Sequence, residues 1–240
     1  IPLFEEEFLL IRHINDANKP VPNNKELTKK INVVWDKKIF IKLLKDIAEN
    51  KFISFDLETT SLDYMKAEIV GVSLALNLEE SFYIPLAHED ESKYKQLDID
   101  YVLDKFKPLL ESKSIKKLGH NLKYDRNVLL NYDITLNAIE HDSMLLSYVY
   151  DPTVIRHGLD NVAEKYLSYK TIHYEDVAGK GVKQIPFEKV DIDVAAEYAC
   201  EDSLVSLELY NYLWEKISKN KSIVNIYTDI EMPLVAVLSN

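Results

Sequence analysis

The chain has 240 residues, of which 47% are hydrophobic and 29% charged, enough for one large domain or two small ones and too apolar for a disordered chain. A net charge of −11 excludes gripping duplex nucleic acid by overall charge, and no apolar run reaches the roughly 18 residues of a membrane span. One cysteine, Cys200, excludes an internal disulfide and points to a reducing, cytoplasmic setting, and only five glycines argue against a nucleotide fold built on Gly-rich turns.

The start, Ile1-Pro2-Leu3-Phe4, has neither a signal-peptide pattern nor an initiating Met, so the chain is expected to be cut from a longer one. Residues 3–14 suit a short helix, and 15–30, with Pro20 and Pro22, read as a linker, which makes 1–30 an N-terminal segment and 31–240 the domain. Asn32–Trp35 predicts a strand. Lys37–Glu49 places Ile39, Phe40, Leu43, Leu44 and Ile47 on one helical face. Phe52–Asp56, Glu68–Leu76 and Ser81–Leu86 read as strands, the last two joined by a polar turn. Helices are expected at 100–110, 122–131, 142–150 and 159–166, with a strand at Ile115–Gly119. A Gly/Lys loop covers 178–184. Helices follow at 193–217 and 223–238, the last bent by Pro233. Strands first and helices later make the class α/β, with a mixed sheet flanked by helices.

Three short patterns carry chemistry. Phe52-Ile53-Ser54-Phe55-Asp56-Leu57-Glu58 is an apolar strand ending in two acids, and positions i and i+2 of a strand face one way. Two carboxylates aimed at one spot repel each other, and a hard divalent cation relieves that repulsion. The plainer reading is a frayed strand end with both acids in water. Asn121 and Asp125 lie four apart on a helix; the plainer reading makes Asn121 an N-cap and Asp125 a solvated acid. Tyr198 and Asp202 share a face of the late helix, which Ala195, Ala196 and Ala199 leave small enough for close packing on a sheet. The plainer reading there is an acidic outer face shared with Glu197, Glu201 and Glu208. Taken together, four carboxylates from three elements suit a two-metal phosphoryl-transfer site.

The set resembles the DEDD superfamily of 3′→5′ exonucleases, in the subclass marked by a tyrosine four residues before the last acid. It is most similar to the proofreading exonuclease domain of bacterial DNA polymerase I (family A), whose ribonuclease-H-like fold it implies. Further stretches carry that likeness: Tyr83-Ile84-Pro85-Leu86-Ala87-His88, Gly119-His120-Asn121-Leu122-Lys123-Tyr124-Asp125, Lys170-Thr171-Ile172, Ala178-Gly179-Lys180-Gly181 and Ile230-Glu231-Met232-Pro233-Leu234. The resemblance implies that Asp56, Glu58 and Asp202 hold one Mg²⁺. Asp56 would bridge to a second ion that Asp125 reaches through water, with Mn²⁺ able to replace Mg²⁺. It implies that Tyr198 orients the attacking water; a phenol with pKa near 10 is a poor base at neutral pH. DNA contacts are implied at Thr59, Leu62, Asn121, Tyr124, Arg156 and Tyr174. Leu62 would be an apolar wedge against the terminal base, the alternative being core packing, and Tyr174 could stack on a base. Lys180 and Lys183 sit in a glycine loop without the GK[ST] of a P-loop, and Cys200 reads as a buried thiol. The charge-balanced stretch 111–183 suits a grip on a few nucleotides at one groove. The implied partners are a single-stranded DNA 3′ end and a covalently joined polymerase domain, in a monomer. Two alternatives stay open: a ribonuclease D-like RNA 3′ exonuclease, and a catalytically silent domain that binds single strands or scaffolds a polymerase.

Overall fold

The structure, a computed structural model, describes residues 30–90 and 92–239. The expected N-terminal helix and linker lie outside the described residues, apart from Lys30, which begins the first strand.

Among the described residues six strands form one sheet: β1 (Lys30–Val33), β2 (Phe52–Thr59), β3 (Ile69–Ala75), β4 (Glu80–Pro85), β5 (Lys116–Gly119) and β6 (Ile139–Asp142). Their order is β1-β4-β3-β2-β5-β6. The hairpins β2–β3 and β3–β4 are antiparallel, while β1–β4, β2–β5 and β5–β6 are parallel, so the sheet is mixed as expected. The helices are α1 (Lys37–Asn50), α2 (Ile99–Leu110), α3 (Leu122–Leu130), α4 (Ser143–Tyr150), α5 (Leu159–Leu167), α6 (Tyr174–Ala178), α7 (Ile192–Ile217), α8 (Lys221–Ile226) and α9 (Met232–Val237). Among the described residues no helix is long and apolar enough to cross a membrane.

Two elements escape the sequence reading. β6, Ile-Glu-His-Asp, is too short and polar to show an alternation, and α6 is barely more than one turn. The last helix is not continuous. A π-turn at Tyr227–Glu231 separates α8 from α9, and Pro233 follows in the first turn of α9. Proline lacks the N–H that an unbroken ladder would use there, so the helix is distorted where Pro233 led one to expect it.

Alternation along β2 decides what each face of the sheet holds. Ile53, Phe55 and Leu57 pack with Phe40 and Leu43 of α1 and Phe106 of α2 in the larger core. Ser54 points the other way, and its hydroxyl donates to the Ser203 carbonyl of α7 at 2.6 Å. Asp56 and Glu58 share the parity of Ser54, so both carboxylates face α7. That helix comes close because its sheet-facing side is small: Ala195, Ala196, Ala199 and Cys200 pack on Val70 and Tyr83. Cys200 is a buried thiol outside any disulfide.

Gly71 pairs with Glu58 across the β2–β3 ladder. A Cβ at Gly71 would fall 2.2 Å from the Tyr83 hydroxyl oxygen and 2.4 Å from the ring carbon bearing it. Tyr83 is fully buried, and its hydroxyl meets His88 Nε2 at 2.7 Å while His88 Nδ1 faces the Val190 carbonyl at 3.0 Å. The ring therefore has no free direction in which to retreat. Gly71→Ala should lower the unfolding free energy by about 1–3 kcal/mol, the usual cost of overpacking. Urea denaturation checks it, and an unchanged midpoint would mean that the Tyr83–His88 pair yields easily.

Candidate active site

At the end of β2 the chain places Asp56 and Glu58 on the face toward α7, and α7 supplies Asp202. One carboxylate oxygen from each of Asp56, Glu58 and Asp202 lies within 4.8 Å of the other two. A β-bulge follows between Glu58 and Thr59 and ends the regular ladder there. Asp125, in the first turn of α3 and only 2% exposed, sets its Oδ1 to accept the Leu57 backbone N–H at 3.0 Å. The fourth acid is thus fixed against the same strand, outside the tight trio but close enough to raise the pKa of Glu58 by charge.

Burial and mutual repulsion set the electrostatics. Burial moves Asp56 from its usual 3.8 up to about 7. Glu58 is pushed well up by burial, then by the charges of Asp56, Asp202 and Asp125. Asp125 and Asp202 rise for the same two reasons, burial first and Asp56 second. The nearby Tyr198 hydroxyl partly offsets the rise at Asp202. Burial and the neighbouring acids drive the Tyr198 phenol well above 10, so it keeps its proton at neutral pH. Four acids without a cation of their own are a costly arrangement. An all-oxygen donor set at this spacing fits a hard divalent cation.

The remaining residues named from the sequence divide into two groups. Thr59 Oγ1 lies 2.5 Å from the Tyr124 hydroxyl, which also donates to the Ser61 carbonyl. Tyr174 meets Tyr198 edge-on at 6.3 Å and stacks on Phe187 at 6.1 Å, making an aromatic wall beside the acids. Leu62, Asn121 and Arg156 lie outside these contacts. Leu62 is 94% exposed, which removes core packing as its explanation. Arg156 stands on the exposed turn between α4 and α5. Asn121 corrects the helical-face argument: its φ of 63° puts it in the left-handed region, before α3 begins, so it does not share a helix face with Asp125. It occupies the N-cap position, yet its side chain makes no capping bond. The solvated reading of Asp125 fails on its burial.

The acidic outer face proposed for α7 fails in part. Glu201 is buried and accepts from the Tyr169 hydroxyl at 2.5 Å and the Ile172 N–H at 2.6 Å, tying the loop before α6 to α7. No pattern in the sequence separates Glu201 from its exposed neighbour Glu197. The position of Asp142 before Ser143 signals an N-cap for α4, but its carboxylate also accepts from the Asn121 and Leu122 N–H groups, a reach that depends on a strand the sequence does not announce.

A six-stranded mixed sheet, helices on both faces and clustered carboxylates at the end of its central strand define the ribonuclease-H-like exonuclease fold. A profile described as 3′–5′ exonuclease matches residues 31–218, and the chain belongs to that family. It is 47% identical over 210 residues to the DNA polymerase I of Pseudomonas aeruginosa, an alignment covering 87% of this chain and 23% of that protein. It is 37% identical over 213 residues to the DNA polymerase I of Rhizobium leguminosarum, covering 82% and 21%. The chain therefore spans about a fifth to a quarter of the length of these curated relatives. Trypanosoma brucei RNase D superposes with a TM-score of 0.64 at 17% identity over 88% of this chain and 72% of that one, which shows a shared fold.

The raised carboxylates give a pH dependence of defined sign. A carboxyl group whose folded pKa exceeds its unfolded value favours the fold while both states are protonated. That contribution is lost as pH rises through the folded value. For Asp56 the window runs from about 3.8 to about 7. In EDTA, the stability of the protein relative to Asp56→Asn should fall across this window. Mg²⁺ should raise Tm more at pH 8 than at pH 5, since protons compete for the same oxygens. Calorimetric scans at fixed ionic strength check both signs, and a rise in relative stability toward pH 7 would contradict the assignment.

Proposed function

We propose that this chain is the proofreading exonuclease unit of a DNA polymerase I. It removes 5′-mononucleotides from the 3′ end of single-stranded or frayed DNA. The observation that carries the reading is the Asp56–Glu58–Asp202 cluster, with Tyr198 one turn before its third member on α7. The DNA substrate is supported by 47% and 37% identity to DNA polymerase I proteins, against a fold-level likeness to RNase D. In this reading a polymerase domain is joined covalently, and the protein works as a cytoplasmic monomer.

Asp56, Glu58 and Asp202 would hold one Mg²⁺, and Asp125 would face a second through water, with Mn²⁺ as a substitute. Bound cations would neutralise the acids and make a nearby water easier to deprotonate. The chain's own groups do the rest. Tyr198 stands one turn before Asp202 on α7, where its hydroxyl would orient the attacking water. Burial and the neighbouring acids raise its pKa, which favours a positioning role over that of a base. Leu62 stands fully in solvent at the tip of a rigid loop, where it can press on a terminal base. Thr60 and Glu68 close the base of that loop through their backbone at 3.0 Å. The Asn131 side chain holds the Tyr64 carbonyl at 2.7 Å, and Tyr124 holds Ser61. Tyr174 offers a ring face, and Thr59, Asn121, Tyr124 and Arg156 offer polar contacts to the strand. A frayed or mismatched end is favoured because part of the unpairing cost has already been met.

A 5′-labelled single-stranded DNA and its RNA counterpart, each with Mg²⁺ or EDTA, test the reading. Stepwise shortening of the DNA only with Mg²⁺ is expected. Equal shortening in EDTA would end the metal reading, and faster cutting of RNA would move the chain to the RNA alternative.

Asp202→Ala should abolish cleavage and weaken metal binding in calorimetry. Tyr198→Phe keeps the ring on Tyr174 and Phe187, so it should bind metal normally and slow single turnover by roughly ten- to a thousandfold. Full rate in Tyr198→Phe would reduce the tyrosine to packing.

A further inference from the structure

Asp142 is 1% exposed, and its carboxylate serves two helices at once. Its Oδ1 accepts from the N–H groups of Met144 at 2.9 Å and Leu145 at 3.3 Å, the usual cap of the helix it precedes. The same oxygen accepts from Asn121 N–H at 3.1 Å, and Oδ2 accepts from Leu122 N–H at 2.8 Å. These last two donors are the N-terminus of α3, twenty residues away in the chain. Asp142 reaches them because β6 lies parallel to β5, with Asp142 opposite Gly119. Its own N–H donates to the Tyr227 hydroxyl at 3.0 Å.

α3 carries Asp125 in its first turn, and Asn121 immediately precedes the helix in the left-handed region without capping it. Asp142 thus serves the amides of Asn121 and Leu122, one step ahead of the amides that a side-chain cap at Asn121 would serve. Close approach reinforces this junction. A Cβ at Gly119 would fall 2.6 Å from the Phe55 carbonyl of β2, so the chain enters α3 directly against the strand that bears the acids. Ser143 donates to the Gly119 carbonyl at 3.1 Å and faces His120 Nδ1 at 2.8 Å.

We infer that Asp142 is a positioning residue for the exonuclease site. By holding the first amides of α3 it fixes Asp125 against β2. This rests on the function proposed above. Asp142 touches no reacting atom and acts through α3.

Asp142→Asn and Asp142→Ser separate this role from simple stability. In Asp142→Asn one oxygen can still serve Asn121, Met144 and Leu145, while an N–H now opposes that of Leu122. In Asp142→Ser the hydroxyl still caps its own helix and is too short to span to α3. Tyr227→Phe is the comparator: it leaves the Asp142 N–H without its acceptor, costs stability, and does not touch the carboxylate. The measurements, on the full chain with Mg²⁺, are kcat and KM on a single-stranded DNA, urea midpoints, and hydrogen exchange at the Leu122, Met144 and Leu145 amides.

Both Asp142 variants should lose about ten- to a hundredfold in kcat, the usual cost of removing a group that orients a metal-facing ligand, with KM changed by less than about threefold. Leu122 should exchange at least tenfold faster, with Met144 and Leu145 protected as before. Tyr227→Phe should keep its kcat at a comparable loss of stability. Wild-type kcat in the Asp142 variants, or an equal fall in Tyr227→Phe, would overturn the inference. Absence of nuclease activity in the unaltered chain would instead refute the function proposed above, and exchange at Leu122 would still report whether the clamp on α3 exists.

Discussion

Mutual repulsion of buried carboxylates is the constraint that the surrounding structure answers. Asp56, Glu58 and Asp202 converge within 4.8 Å, and Asp125 lies beside them. Each is less willing to ionise than in water. Left to local preference, such a group would splay into solvent. It stays together because no member is free to move. Asp56 and Glu58 are committed by the pleat of a central strand, paired there with Ser73 and Gly71 of β3. Asp202 is committed by a 26-residue helix packed along the sheet through alanines and Cys200. The energy of packing elsewhere thus offsets a local electrostatic cost, and cations can draw on the stored repulsion as binding affinity.

The sheet itself is the frame for this. Its hairpin half, β2–β3–β4, brings Gly71 and Tyr83 beneath Glu58, and its parallel half, β2–β5–β6, brings α3 and α4 to the same end. Helix N-termini gather there as a consequence of parallel strands followed by helices. Their amides would otherwise need partners, and Asp125 and Asp142 both lie among them. A negative carboxylate at a helix N-terminus also meets the positive end of the helix dipole. Of the site's acids, Asp125 is therefore partly compensated by backbone before any ion is bound.

The fold was largely legible because its long elements have strong periods. β2, α1 and α7 each show an apolar face in the sequence, although Ile39, counted on the α1 face, is exposed, and the parity of Asp56 and Glu58 follows from counting along a strand. What remained hidden is what depends on contacts remote in sequence. β6 becomes a strand only by lying beside β5, so the double role of Asp142 could not be seen. Glu201 and Asp202 are adjacent acids on one helix, yet one ties down the loop at Ile172 while the other joins the carboxylate trio. Only the rotation of α7 against the sheet tells them apart. Asn121 was misjudged for a local reason: counting four residues to Asp125 presumes a helical backbone that begins one residue later.

The alternation in β2 also governs how this segment can change over evolutionary time. A substitution there alters one side chain and leaves its neighbours facing as before. Loss or gain of one residue between Phe52 and Leu57 would turn part of the strand over, exchanging Phe55 and Leu57 for the acids on the core side. The antiparallel ladder to β3 and the parallel ladder to β5 would have to slip together to absorb it. Length in this strand is therefore far less negotiable than composition, whereas the polar turn between β3 and β4 can lengthen or shorten without disturbing either face.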